Sequence, residues 1–192
     1  GGHGGDITVA VGDGDTGNGG DMAFRSGRTT AQNATGGNID ITAGRADYGD
    51  GGAIDVTTGF GATGSSGSMS LSTNDAGTSG VSGRIVVSTG NTTSGESGYI
   101  ALITGDAAEG SGGDIRAIVG TGDAGNGGDV IVTAGDTTDR ASTGGTIFMK
   151  AGDGNSTDAA NGGDGGDVII TAGESLGTNS SVDVGGDVVV TA

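Results

Sequence analysis

The chain has 192 residues, of which 48 are glycine, and it has no proline, cysteine or tryptophan. Its formal charge of −17 argues against nucleic acid and anionic membrane surfaces as partners, and it favours solubility or cation binding. Without cysteine there is no disulfide or thiolate chemistry, and no apolar stretch approaches the ~18 residues that a membrane-spanning helix needs.

A repeating motif runs along the whole sequence. The strings "GNGGDMAFRSG" (17–27) and "GNGGDVIVTAG" (125–135) return in variant form at 110–120 and 162–173. Aligning the second glycine of each copy, the anchor glycine, gives twelve repeats at a base spacing of about 15 residues, with insertions after the apolar run. We predict one continuous repeat domain over 1–192 and no separate second domain. The anchors are Gly5, Gly20, Gly37, Gly52, Gly67, Gly83, Gly98, Gly113, Gly128, Gly145, Gly166 and Gly186.

Apolar residues alternate with other residues after each anchor. The second residue past the anchor is always Ile, Val or Met, the fourth is always apolar, and the sixth is smaller. In the third repeat these positions are Ile39, Ile41 and Ala43. A period of two predicts a β-strand that buries these three positions on one face.

A second glycine column follows the alternating run. The seventh position past the anchor is glycine in ten of the eleven complete repeats and Asn74 in the other. Because glycine and asparagine tolerate a left-handed backbone best, this column predicts corners with positive φ. A thinner wall should follow each corner, with small inward residues such as Gly14, Ala46 and Thr92.

These features predict an all-β fold, a single-stranded parallel β-solenoid of about twelve coils with Gly corners and a flat, narrow core. Neither end of the sequence carries a capping segment, so both terminal coils would expose strand edges. We therefore expect either a section of a longer assembly or end-to-end stacking of copies.

The outward position between the two large apolar columns changes along the chain. It is mostly polar in the first half, as at Thr8, Asp40 and Asp55, and apolar in the second. One interpretation is that these apolar residues reflect only the β-propensity of a partly covered face. The other, which we favour, is that they contact another subunit. The predicted interface residues are Val86, Ile103, Ile118, Ile131, Phe148, Ile169 and Val189.

An aspartate precedes the alternating run in several repeats. Carboxylates stacked about 5 Å apart in neighbouring coils would repel each other and favour a calcium ion between them. The string "GGDGGDVII" (162–170) also resembles the Gly-Gly-x-Gly-x-Asp nonapeptide of calcium-binding RTX β-rolls, which implies calcium ligation. Alternatively, these aspartates are turn residues that bond nearby amides. The calcium candidates are Asp6, Asp21, Asp114, Asp129, Asp164, Asp167 and Asp187.

Four Asn-x-Ser/Thr sequons lie in the loop part of their repeats, at Asn33, Asn91, Asn155 and Asn179. They are candidate N-glycosylation sites, although a chain this rich in serine and threonine forms some sequons by chance.

Catalytic constellations are missing from the sequence. The single histidine, His3, is terminal, and there is no cysteine nucleophile, zinc-ligand cluster or phosphate-binding loop. We predict that the chain is not an enzyme and requires no cofactor, with calcium as the one candidate ion.

The repeat style of "GGDI", an alternating run and "AG" resembles the Gly-rich short-coil β-solenoid repeats of microbial and diatom cell-surface proteins and of phage virion fibres. The resemblance covers the whole chain and implies an extracellular structural or adhesive role, at a cell or virion surface. We predict a self-assembling, non-enzymatic shaft of a fibre or filament, without nucleic acid or membrane insertion. The alternatives are a calcium-stabilised adhesin that binds glycans or a cell surface and, less strongly, an ice binder, suggested by threonines such as Thr57 and Thr133.

Overall fold

The fold is given by a computed structural model, which describes residues 2, 4–179 and 183–191. This part of the chain contains no α-helix and no β-strand. The chain divides into two compact units, Gly1–Ser88 and Thr89–Ala192. The boundary between them falls inside the repeat anchored at Gly83, and the single continuous domain stays a prediction.

The predicted parallel β-solenoid is wrong. Among the described residues, no backbone hydrogen bond joins the alternating run of one repeat to that of the next, so a coil-to-coil ladder is missing. The accessible surface is 19138 Å², whereas a compact protein of 17.9 kDa exposes about 8,000 Å². Glycine supplies the physical reason, because 48 residues add no side chain to a core and lose the most conformational entropy on ordering.

The apolar face that the sequence predicts to be inside is exposed. No described side chain is buried. The second position past the anchor is 44–63% exposed from Met22 to Val188, and the sixth position is the most covered column, with Ala43 and Ala134 only partly exposed. The fourth position, expected beside it in the core, is 65–92% exposed from Val9 to Val190. The alternation therefore produces partial cover at the second and sixth positions and no core.

Each repeat is an arm followed by a returning loop. In the third repeat the arm runs from Gly37 to Gly44, the loop follows over 45–51, and Gly52 begins the next arm. The N–H of Gly52 donates to the carbonyl of Gly44 at 2.9 Å, so the end of the loop lies beside its start.

The loops turn at glycines outside the predicted corner column. In the shorter repeats, the first and those anchored from Gly37 to Gly113, a bend ends at a glycine three positions before the next anchor. Gly80, Gly95 and Gly125 have φ of 126°, 96° and 82° there. Asn74 and the glycines of the seventh position have no left-handed φ, so the predicted corner column is wrong. The bend glycines are Gly17, Gly49, Gly64, Gly80, Gly95, Gly110 and Gly125.

The second and the ninth repeats carry an insertion of equal length and share a different turn. In the second repeat the N–H of Ala31 donates to Thr29 Oγ1 at 3.1 Å, and Asn33 has a φ of 58°. In the ninth, the corresponding bond to Thr137 Oγ1 is 3.2 Å long and Ala141 has a φ of 62°. The same insertion thus gives one turn shape with different side chains at its tip.

Candidate functional site

Two glycines approach each other at the base of several returning loops, while the candidate interface residues lie on the arms and the sequons on the loops. The N–H of an anchor glycine donates to the carbonyl at the seventh position of the preceding repeat, at 2.8–3.0 Å in six cases and 3.5 Å at Gly20. A Cβ on Gly37 would lie 3.2 Å from the backbone nitrogen of Gly27, so this approach favours glycine. The short bonds are Gly37 to Gly27, Gly52 to Gly44, Gly67 to Gly59, Gly145 to Gly135, Gly166 to Gly152 and Gly186 to Gly173.

Closure of a loop correlates with the side chain at the sixth position of its repeat. Where the bond is short, no γ-carbon of that side chain is among the atoms nearest to the anchor. Where the bond is long or missing in the described loops, a γ-carbon faces the anchor, as Val119 Cγ1 does at 2.9 Å from a Cβ built on Gly128. Thr58 is branched, but only its Cβ lies near Gly67, at 3.4 Å, and that loop is closed. A methyl group directed at the anchor therefore accompanies a long or missing closing bond.

The seven predicted interface residues are all at the surface. Their exposed fractions run from 69% at Val86 to 85% at Ile103. Val86 belongs to the unit Gly1–Ser88 and the others belong to Thr89–Ala192. No described segment of the chain buries them, and their role as an interface stays a prediction. The remaining residues of the set are Ile118, Ile131, Phe148, Ile169 and Val189.

The structure does not gather the predicted calcium ligands into a site. Within the described residues, no group of three or more His, Cys, Asp or Glu side chains could hold a metal ion. Asp114 Oδ2 instead accepts a hydrogen bond from the Arg116 guanidinium at 2.7 Å. Calcium binding stays a prediction, and the described residues bring no set of three ligating side chains together to support it. The remaining candidates, all exposed, are Asp6, Asp21, Asp129, Asp164, Asp167 and Asp187.

The sequons occupy different loop environments. Asn33 lies in the left-handed turn of its repeat, and Asn91 and Asn155 are exposed. The N–H of Asn179 donates to Asp183 Oδ2 at 2.8 Å, and the rest of its sequon lies outside the described residues. His3 also lies outside them. Glycosylation at all four asparagines stays a prediction.

Asp158 makes a turn that was not among the predicted sites. Its Oδ1 accepts hydrogen bonds from the N–H groups of Ala160 and Asn161, both at 2.9 Å. These two backbone hydrogen bonds lower the pKa of the Asp158 carboxyl, and the bond from Ala160 has the larger effect. The signal in the sequence was an aspartate two and three positions before its amide partners, within the longest inserted loop.

No protein-family model, no curated protein and no solved structure matches the chain. The likeness to fibre and cell-surface repeats therefore depends on the repeat style alone. The described residues contain no helix with the length and hydropathy to span a bilayer.

Proposed function

We propose that the chain is a structural, non-enzymatic repeat shaft of an extracellular fibre or filament, and that copies of it assemble through their exposed apolar side chains. One observation carries this proposal. The second position past the anchor is Ile, Val or Met in all twelve repeats, yet none of these side chains is buried by the described chain. Apolar surface contributes about 25 cal/mol per Å² when it leaves water, so this patterning becomes stabilising once something covers it.

A second copy of the chain is the occupant that best fits the repeated surface. Ile131, Phe148 and Ile169 take the same position in the ninth, tenth and eleventh repeats, and each is about 80% exposed. Because an apolar residue recurs at this position, a partner that covers it in one repeat must offer a similar apolar contact to the next repeat. Another copy offers such a series, because its apolar residues recur with the same spacing.

Charge limits the other classes of partner. The chain carries 24 acidic and 7 basic residues, so nucleic acid and anionic lipid would be repelled. The same net charge also opposes association between copies, so the apolar contacts must outweigh this repulsion. The extracellular location follows from the resemblance in repeat style and is part of the proposal.

Sedimentation velocity over a series of protein concentrations tests the proposal. We compare the wild-type chain with Phe148→Ser and with the control Phe60→Ser. Phe148 and Phe60 are 80% and 90% exposed, but Phe60 lies in a returning loop outside the apolar columns. The wild-type chain should form larger species as concentration rises, and Phe148→Ser should require roughly ten- to a hundredfold more protein because it loses about 1.5–3 kcal/mol of burial.

Phe60→Ser should sediment like the wild-type chain at every concentration. A wild-type chain that stays monomeric throughout would overturn the proposal. Equal effects of the two substitutions would show that association does not use the outward apolar position of the arms.

A further inference from the structure

Three asparagines directly precede a glycine: Asn18, Asn126 and Asn161. In such a pair, the backbone nitrogen of the glycine can attack the side-chain carbonyl carbon of the asparagine. Glycine favours this approach because it has no Cβ and its backbone adopts conformations closed to other residues. The three pairs have different surroundings, so their reactivities should differ.

Asn126 has the least restrained surroundings of the three. It is exposed, and its side chain has no hydrogen-bond partner among the described residues. A Cβ built on Gly127 meets nothing within 4 Å, so the space beside the Cα of the attacking residue is open. The preceding residue, Gly125, is the left-handed bend glycine of this loop.

Asn18 occupies the same place in the first repeat, but its backbone is more crowded. A Cβ built on Gly14 would lie 2.7 Å from the carbonyl oxygen of Asn18 and 2.6 Å from that of Gly17. The backbone of this loop therefore runs close against itself just before the reactive pair. The following residue, Gly19, is open, with nothing within 4 Å.

Asn161 is held in place. Its N–H donates to Asp158 Oδ1 at 2.9 Å, in the turn that Asp158 forms. A Cβ built on Gly162 would lie 3.5 Å from the carbonyl oxygens of Ser156 and Asp158. The attacking nitrogen of Gly162 therefore has less freedom to rotate toward the side chain of Asn161.

We infer that these three asparagines are sites of spontaneous conversion to aspartate and isoaspartate, with Asn126 the fastest and Asn161 the slowest. A bond forms between the glycine nitrogen and Cγ of the asparagine, and the bond from Cγ to Nδ2 breaks. The amide proton leaves with the departing ammonia. Water then opens the five-membered succinimide at either of its carbonyl groups, which gives aspartate or isoaspartate.

The conversion would change the loops in two ways. Each event adds one negative charge to a chain whose formal charge is already −17. Isoaspartate also adds a backbone carbon, and at Asn126 this carbon would enter the loop just before the anchor Gly128. The modification is independent of the proposed assembly, because it needs only the loop and water.

Peptide mapping of the intact chain after incubation at neutral pH and body temperature tests the inference. Trypsin cleaves after Arg25, Arg116, Arg140 and Lys150, which places the three asparagines on three different peptides. Asn126 should gain about one mass unit roughly two- to tenfold faster than Asn161, the factor that one hydrogen bond supplies. Asn91, which precedes threonine, is the reference and should be slower than all three.

A pair of variants separates the structural effect from the local sequence. Asp158→Ala removes the bond to Asn161 and should raise its rate toward that of Asn126. Asp164→Ala removes a charge from the same loop without removing that bond, and it should leave the rate unchanged. The inference is overturned if Asn161 reacts as fast as Asn126 in the wild-type chain, if the two variants act alike, or if no site reacts faster than Asn91.

Discussion

The backbone nitrogen of Gly145 lies 2.8 Å from the carbonyl oxygen of Gly135, to which it donates a hydrogen bond. Ala134 lies beside this contact, with its Cβ 3.3 Å from a Cβ built on Gly145. The alanine methyl fits there, whereas a further carbon directed at the anchor would occupy the space that the closing glycine needs. We therefore expect the sixth position of the repeat to control closure of the loop.

Exchanging branched and unbranched side chains at this position should remove the closing hydrogen bond from one loop and create it in another. Ala134→Val should break the bond from Gly145 to Gly135, and Val119→Ala should allow Gly128 to bond the carbonyl of Gly120. Since one hydrogen bond contributes about 0.5–1.5 kcal/mol, amide exchange at the anchor should change by roughly two- to tenfold. Amide hydrogen exchange followed by NMR measures both changes. An Ala134→Val chain whose Gly145 amide keeps its protection would contradict this mechanism.

The left-handed residue of the ninth repeat is an alanine where the second repeat has an asparagine. Ala141 has a φ of 62° and Asn33 one of 58°. A left-handed backbone costs an ordinary L-residue about 1–2 kcal/mol, and asparagine less. Ala141→Asn should therefore populate the turn more fully, and Asn33→Ala should populate it less.

The coupling constant between the amide and α protons at positions 33 and 141 reports this population. The two substitutions should move it in opposite directions. A shift in the same direction for both, or no shift, would mean that the turn does not depend on the left-handed residue.

The turn at Asp158 should depend on pH. Its pKa is lowered by the amides of Ala160 and Asn161, which bond the ionised carboxylate. The resulting stabilisation is present above the ordinary pKa of aspartate and is lost as pH falls through the lowered value. A carboxyl ¹³C titration should place this pKa below the ordinary value, with the amide signals of Ala160 and Asn161 shifting over the same pH range. Titration at or above the ordinary value would contradict the turn.

Removing calcium should leave the chain unchanged. Assembly through apolar contacts between copies, as proposed above, requires no ion between them. Sedimentation and amide exchange should therefore be the same with EDTA as with added calcium. Loss of amide protection in EDTA that calcium restores would instead support the adhesin alternative.

The sequence located the glycines at which the repeats begin, but it did not predict their hydrogen bonds or which glycines adopt a left-handed backbone. Seven of the twelve anchors chosen by alignment, among them Gly37 and Gly145, have amides that bond across the preceding loop. Left-handed corners were predicted at the seventh position, whereas Gly80, Gly95 and Gly125 adopt them at the ends of bends. The signal for these bends is a glycine three positions before each of seven anchors. It lies beyond the apolar run, in a part of the repeat about which the alternation predicts nothing.

The fold prediction was wrong because alternation specifies a strand only when another strand pairs with it. Ile39, Ile54 and Met69 recur at one register, as a solenoid requires, but each is more than half exposed. The strand preference of such residues depends on packing against neighbours, and a quarter of this chain is glycine, which offers nothing to pack against. The candidate interface residues were predicted at outward positions of that stacked geometry, and they are exposed in the structure although the stacking is missing.

The most direct test is the solvent accessibility of isoleucine methyl groups, measured by relaxation from a soluble paramagnetic agent in dilute and in concentrated samples. In the dilute sample, Ile39, Ile54, Ile131 and Ile169 should all be relaxed, Ile131 and Ile169 most strongly, because a single chain buries none of them. In the concentrated sample, Ile131 and Ile169 should become protected as copies pack together. Protection of all four methyl groups in the dilute chain, or of none at high concentration, would contradict assembly through exposed apolar side chains.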